Sequence, residues 1–191
     1  MINPIYMQRC LDLASQGLGH VSPNPMVGCV IVADNSIIGE GYHQRYGEAH
    51  AEVNAINSVQ NKEQLKQATL YVNLEPCCHY GKTPPCTELI IKHQIPQVVI
   101  GCVDTYKQVN CMGIKQMEDA GIDVHVGLLE QESRMLNRRF FTFQEKQRPF
   151  ILLKWAQTLD GFMDKERTDD EHRPGAWITN KTLKAPCHKW R

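Results

Sequence analysis

ATLYVNLEPCCHYGKTPPCTELIIKHQIPQVVIGCV, residues 68–103, reads as strand, loop, helix and strand in succession. ATLYVNL and QVVIGCV are short apolar runs rich in β-branched residues, the mark of buried strands, and TELIIKHQ between them has helical spacing. Upstream, MVGCVIVA and SIIGEGYH flank Asp34-Asn35 and read as an antiparallel hairpin. Before it, residues 4–16 carry Met7, Cys10, Leu11 and Ala14 at helical spacing, with Asn3 as N-cap, Pro4 at the first helical position and Gly17 as a stop. A short helix is expected at about 49–58, another at 114–120, and a further strand in IDVHVGL. Strands alternating with helices after an opening hairpin imply an α/β sandwich on a mixed sheet.

A second unit is expected from about residue 148. QEKQRPF is a polar, Pro-containing joint, and FILLKWAQTLDG beyond it reads as a fresh strand ending in a Gly turn. This divides the chain into 1–147 and 148–191, the second piece being near the roughly 40-residue lower limit for independent folding.

Lys and Arg total 21 and Asp and Glu total 21, so no polyanion-binding surface is implied and nucleic acid is not the expected partner. The N-terminus has no basic segment followed by an apolar one, and no apolar run approaches the roughly 18 residues of a membrane span. A soluble cytoplasmic protein without membrane contact is expected. Eight cysteines without an export signal argue against a disulfide framework. Cys29 and Cys102 sit in strand-like apolar runs and read as buried thiols. Cys77 and Cys86 stand instead in a Pro- and Gly-rich loop, where no core calls for them.

A second stretch, EAHAEVNAI (48–56), places His50 and Glu52 two residues apart at a helix start. A catalytic zinc has three protein ligands and a position open to water, and His50, Cys77 and Cys86 supply three. Helix N-termini favour thiolates, and two thiolates with a neutral imidazole balance the charge of Zn²⁺. Glu52, close by but outside the ligand set, is then a proton carrier. A zinc closed by Cys78 or His79 would be structural instead, while a lone His at a helix start is an ordinary cap and a lone Glu there complements the helix dipole. H-x-E followed by P-C-x-x-C is a known zinc-deaminase signature, although here eight residues separate the cysteines. Asn24, stiffened by Pro23 and Pro25, offers one acceptor and two donors to a hydroxyl or base edge, or else forms a simple Asx turn. Lys82 is either a point charge for a phosphate or a solvated surface residue.

Together, SPNPMVGCVIV, HAE and LEPCCHYGKTPPC closely resemble the RibD family of bifunctional riboflavin-biosynthesis enzymes, whose loop E-P-C-x-H-x-G-x-T-P-P-C is matched at every fixed position from Glu75 to Cys86. RPFILLKWAQTLDG and WIT look like the opening of that family's reductase half. The resemblance implies a cytidine-deaminase-like three-layer sandwich followed by the first part of a dihydrofolate-reductase-like domain. It implies zinc on His50, Cys77 and Cys86, proton transfer by Glu52, and substrate contacts from Asn24, His43, His79 and Lys82, with Cys78 at a variable position as a bystander. The family's D-P-N-P turn reads Asp104-Thr105-Tyr106-Lys107 here, keeping only the Asp.

The implied reaction is hydrolytic deamination of 2,5-diamino-6-ribosylamino-4(3H)-pyrimidinone 5′-phosphate, a small phosphorylated partner, by a chain that is free to form a homo-oligomer. Lys154, Ala156, Trp177 and Thr179 fall at reductase motif positions, with NADPH expected only in a complete reductase domain. Because the sequence stops at Arg191, deaminase activity without independent reductase activity is expected, with the tail from about residue 165 mobile or docked on a partner. The competing readings are a nucleoside or tRNA-editing deaminase of the same fold and a non-catalytic zinc-stabilised module.

Overall fold

Asn3 starts the first helix, α1 (Pro4–Ser15), by accepting a hydrogen bond from the Ile5 amide at 3.1 Å, and Pro4 occupies the turn where a missing N–H costs nothing. The computed structural model describes residues 2–80, 84–105 and 111–163. Its first unit, Met1–Phe150, carries five strands, β1 (Gly28–Ala33), β2 (Ser36–Tyr42), β3 (Thr69–Leu74), β4 (Gln97–Cys102) and β5 (Asp123–Val126), in the order β2-β1-β3-β4-β5. β1 runs antiparallel to both β2 and β3, while β3, β4 and β5 are mutually parallel, so the sheet is mixed as expected. Asp34 and Asn35 both take positive φ at the hairpin tip, the two-residue turn whose twist suits the flanking strands.

Alternating side chains divide the core into two faces. Cys29, Ile31, Leu70, Val72, Val98 and Ile100 pack with α2 (Ala51–Ser58), α3 (Cys86–Lys92) and α4 (Met112–Asp119). Val30, Val32, Tyr71 and Val99 pack on the opposite face with Met7, Cys10 and Leu13 of α1. Burying each large aliphatic side chain contributes about 1.5–3 kcal/mol, and helices on both faces give the expected three layers. Two short helices, α5 (Glu130–Leu136) and α6 (Arg138–Lys146), complete the unit; α6 sends Phe141 into a small cluster with Leu74 and Cys102, the last residues of parallel β3 and β4. Among the described residues no helix is long and apolar enough to cross a membrane.

Two glycines set the seating of the helices. A Cβ on Gly28 would fall 2.1 Å from the Cys10 carbonyl oxygen, and one on Gly41 would fall 2.6 Å from the Ala55 nitrogen. α1 and α2 therefore lie directly on strand backbone. At its far end α2 is closed by Lys62, whose ammonium donates to the carbonyls of Ile56, Asn57 and Val59 at 2.5–3.1 Å. A cation on the last carbonyls of a helix offsets both their lost hydrogen bonds and the dipole. Lys62→Met is expected to lower stability by about 1–2 kcal/mol, read as an earlier urea midpoint at unchanged slope. An unchanged midpoint would show that water replaces the ammonium at no cost.

The chain departs from the expected elements in three places. α2 begins at Ala51, so His50 is its N-cap and lies outside the helix proper. The 3₁₀ helix Lys62–Gln67 and the pair α5 and α6 have no counterpart among the expected elements. In the second unit, Ile151–Arg191, the described residues of FILLKWAQTLDG form no strand; they end in a turn in which Gly161 N–H donates to Thr158 O at 3.0 Å and Thr158 N–H donates to Phe162 O at 2.8 Å. A strand needs a neighbour for its backbone groups, and the described residues of that unit include none.

Candidate metal centre

Parallel β3 and β4 end side by side, with Leu74 paired to Cys102, and the chain leaves the sheet there at Glu75 and Val103. Ligand sites of α/β sheets form at such carboxyl ends. Cys77 follows β3 by three residues, Cys86 opens α3, and His50 opens α2 on the same face of the sheet. The three donor atoms lie within 4.8 Å of one another: His50 Nδ1 is 3.4 Å from Cys77 Sγ and 3.3 Å from Cys86 Sγ. Zinc held tetrahedrally at about 2.3 Å from sulfur and 2.0–2.1 Å from nitrogen places such ligand atoms about 3.5 Å apart, so the donor set fits Zn²⁺ in both chemistry and spacing. Cys78 and His79 do not join this group.

Without metal, the electrostatics single out Cys77 among the three donors. Hydrogen bonds from the Cys86 thiol and from His50 lower the Cys77 pKa, helped by the Cys86 backbone N–H at 3.4 Å. His50, hydrogen-bonded to Cys77, is pushed up to about 9. The Cys86 thiol, donating to Cys77 and buried, moves the other way. Cys77 is thus poised as a thiolate, the form that binds metal. Cys10, Cys29 and Cys102 are pushed up by burial and behave as small core residues.

Glu52 stands in the first turn of α2, 3 % exposed, with its carboxylate in hydrogen-bonding reach of the Cys86 thiol. Burial and the nearby Cys77 charge raise its pKa to about 7. Residues two apart in a helix interior point away from each other. Because His50 is the N-cap, with extended backbone at φ −71° and ψ 165°, both side chains face one cleft.

That cleft has a volume of about 490 Å³, within the usual range for small-molecule sites. Asn24, His43, His79 and Asp104 all line it. His43 is 3 % exposed; its Nδ1 meets the Ala49 carbonyl at 3.0 Å and must be the protonated nitrogen. Its Nε2 therefore accepts from Asn24 Nδ2 at 3.2 Å, and burial, by lowering the His43 pKa, favours this neutral form. The Asn24 amide is held by the ring, which leaves Oδ1 to meet a donor in the cleft.

Sequence reasoning missed the residues that hold this wall. Asn137 meets both backbone groups of Met26, accepting from its N–H at 2.8 Å and donating to its carbonyl at 2.8 Å. Asn73 adds bonds to the Met26 carbonyl and the Gly28 N–H. It also missed Phe140, Phe143 and Gln144 of α6, which give the cleft an aromatic side. The apolar pattern of RRFFTF is the one signal that pointed to them. Lys82, Trp177 and Thr179 lie outside the described residues, while Lys154 and Ala156 fall on irregular backbone of the second unit.

Comparison with known proteins adds an independent line. Residues 3–102 match the family model of the cytidine and deoxycytidylate deaminase zinc-binding region. The riboflavin biosynthesis protein RibD of Aquifex aeolicus is 44 % identical over 187 residues, 98 % of this chain and 51 % of that protein. Among solved structures, Acinetobacter baumannii RibD superposes with a TM-score of 0.89 at 40 % identity, covering 98 % of this chain and 51 % of that one. A Thermotoga maritima diaminohydroxyphosphoribosylaminopyrimidine deaminase/5-amino-6-(5-phosphoribosylamino)uracil reductase does so with a TM-score of 0.88 at 44 % identity, covering 98 % and 52 %. The chain spans about half the length of these relatives.

Proposed function

The chain belongs to the cytidine and deoxycytidylate deaminase zinc-binding family and, within it, to the RibD family, and from that premise we propose that it deaminates 2,5-diamino-6-ribosylamino-4(3H)-pyrimidinone 5′-phosphate in riboflavin biosynthesis. The observation that carries the proposal is the convergence of His50, Cys77 and Cys86 beside buried Glu52, at the end of a cleft large enough for a heterocycle. In this reading His50, Cys77 and Cys86 hold zinc, which when bound polarises water for attack on the ring carbon bearing the amino group.

Glu52 takes a proton from that water and passes one to the departing amine. Its burial keeps bulk water from competing for either transfer. Asn24 Oδ1, fixed through neutral His43, accepts from a ring or sugar donor, and His79 contributes a further polar contact. The Phe140 and Phe143 side of the cleft excludes water and gives the pyrimidinone an apolar face to lie against. Lys82 is assigned to the phosphate. Residues 148–191 are assigned to the opening of a dihydrofolate-reductase-like unit, with Lys154, Ala156, Trp177 and Thr179 directed to the NADPH of a complete domain. The setting is cytoplasmic, in keeping with reduced cysteines.

The test is incubation of zinc-loaded protein with the pyrimidinone phosphate, following ammonia and the deaminated product, with cytidine and dCMP in parallel. Release of ammonia from the pyrimidinone alone is the expected result. Turnover of cytidine or dCMP in its place would move the substrate to the nucleoside deaminases.

A further inference from the structure

We propose that Glu75 is a positioning residue for this deamination site, capping α4 from outside the helix and holding Asp104 beside the cleft; the inference rests on the deaminase reading above. Glu75 is the residue after β3 and is 4 % exposed. Its carboxylate accepts four backbone N–H groups. Oε1 takes those of Gly113 at 3.1 Å and Ile114 at 3.3 Å, and Oε2 takes those of Cys111 at 3.0 Å and Asp104 at 3.3 Å.

Gly113 and Ile114 are the second and third residues of α4, whose N–H groups an N-cap side chain ordinarily satisfies. The residue at the N-cap is Cys111, in the left-handed region at φ 64°, and its side chain makes no capping bond. The cap comes instead from a residue nearly forty positions earlier. Close packing reinforces the link, since a Cβ on Gly113 would lie 2.4 Å from the Pro76 carbonyl oxygen and 3.2 Å from Glu75 Oε1. Pro76 leads directly into Cys77.

One side chain therefore joins three things: the segment entering Cys77, the first turn of α4, and the backbone of Asp104. Asp104 is 7 % exposed and lines the cleft. A carboxylate suits the task because all four partners are donors. A glutamine of the same size would turn its NH₂ toward two of those N–H groups and release them. Glu75 itself borders the cleft, but its carboxylate is taken up by the four backbone N–H groups, so the consequence falls on placement of the substrate through Asp104 and not on the three-donor group.

The experiment compares E75Q with wild type in the zinc-loaded full chain. Amide exchange of Asp104, Cys111, Gly113 and Ile114 is expected to speed up by about tenfold or more, at retained zinc. KM for the pyrimidinone phosphate is expected to rise about tenfold, with kcat within about threefold of wild type. Gln116→Met serves as control: on the same helix as the capped amides it removes the acceptor that Thr87 of α3 meets at 2.6 Å while leaving the four bonds of Glu75 in place, and it is expected to lower Tm without moving KM. Should E75Q fail to fold, E75D, which keeps the charge but retreats by one methylene, is expected to shift exchange and KM in the same direction by less. Wild-type exchange at the four amides, or wild-type KM in a variant whose Tm alone has fallen, would overturn the proposal. A wild-type protein that releases no ammonia would overturn the substrate reading, and the exchange measurement, which needs no substrate, would still decide whether Glu75 holds Asp104.

Discussion

Glu52→Gln is expected to keep one zinc per chain and to lower turnover by about 10²–10⁴-fold, the range over which a positioned acid–base group acts. Zinc stays because Glu52 is outside the group of three donors, and because an amide of equal size preserves the packing around a residue that is 3 % exposed. Turnover is expected to fall because the amide neither accepts nor releases a proton at neutral pH and burial admits little water to substitute for it. Alanine would be a poorer probe, since the space it opens would let in a water that relays the proton. Zinc content and initial rate of ammonia release, measured on the same preparation, check the result. Loss of zinc would mean that Glu52 is a ligand, and a rate within tenfold of wild type would remove it from proton transfer.

Why the donor set was legible in the sequence while its surroundings were not follows from how each is encoded. His50, Cys77 and Cys86 belong to short motifs whose chemistry depends on residue type, and β3 and β4, at whose ends they gather, are apolar runs that have few other uses. The hairpin at Asp34-Asn35 and the start of α1 at Asn3-Pro4 are likewise local, set by backbone preferences of adjacent residues. The wall of the cleft is non-local. Asn137 meets Met26 across 111 positions and Glu75 meets Ile114 across 39, and no spacing rule predicts which buried amide a polar side chain will find.

The helices α5 and α6 were overlooked for a related reason. They are short and rich in charge, and α5 follows a left-handed N-cap at Leu129. Their place depends on tertiary packing: Phe141 against Leu74 and Cys102, and the close approach of Ser133 to Gly101, where a Cβ would fall 2.4 Å from the serine oxygen. FILLKWAQTLDG shows the converse. Its apolar run meets the pattern of a strand, yet the described residues of its own unit hold no strand for it to pair with.

Cys86→Ser is expected to reduce zinc from about one equivalent to less than about a tenth, whereas Cys78→Ser retains it, since three ligands define one open tetrahedral site. The two residues separate the local chemistry cleanly. Cys86 is buried at the first position of α3, its sulfur 3.3 Å from His50 Nδ1, so the helix aims it at the centre. Cys78 is half-buried and stands outside the donor group of His50, Cys77 and Cys86. A serine hydroxyl at position 86 is a much weaker zinc ligand than a thiolate and leaves His50 and Cys77 as a two-donor site. Because a metal that binds the folded state stabilises it, a chelator should lower the Tm of wild type and of Cys78→Ser, and leave that of Cys86→Ser unchanged. Pairing elemental analysis with the chelator-dependent Tm distinguishes a lost ligand from a damaged fold, since a misfolded Cys86→Ser would show no cooperative transition. Zinc retained in Cys86→Ser, or lost from Cys78→Ser, would mean that the third ligand is another residue and that the geometry of His50, Cys77 and Cys86 is only a hydrogen-bonded cluster.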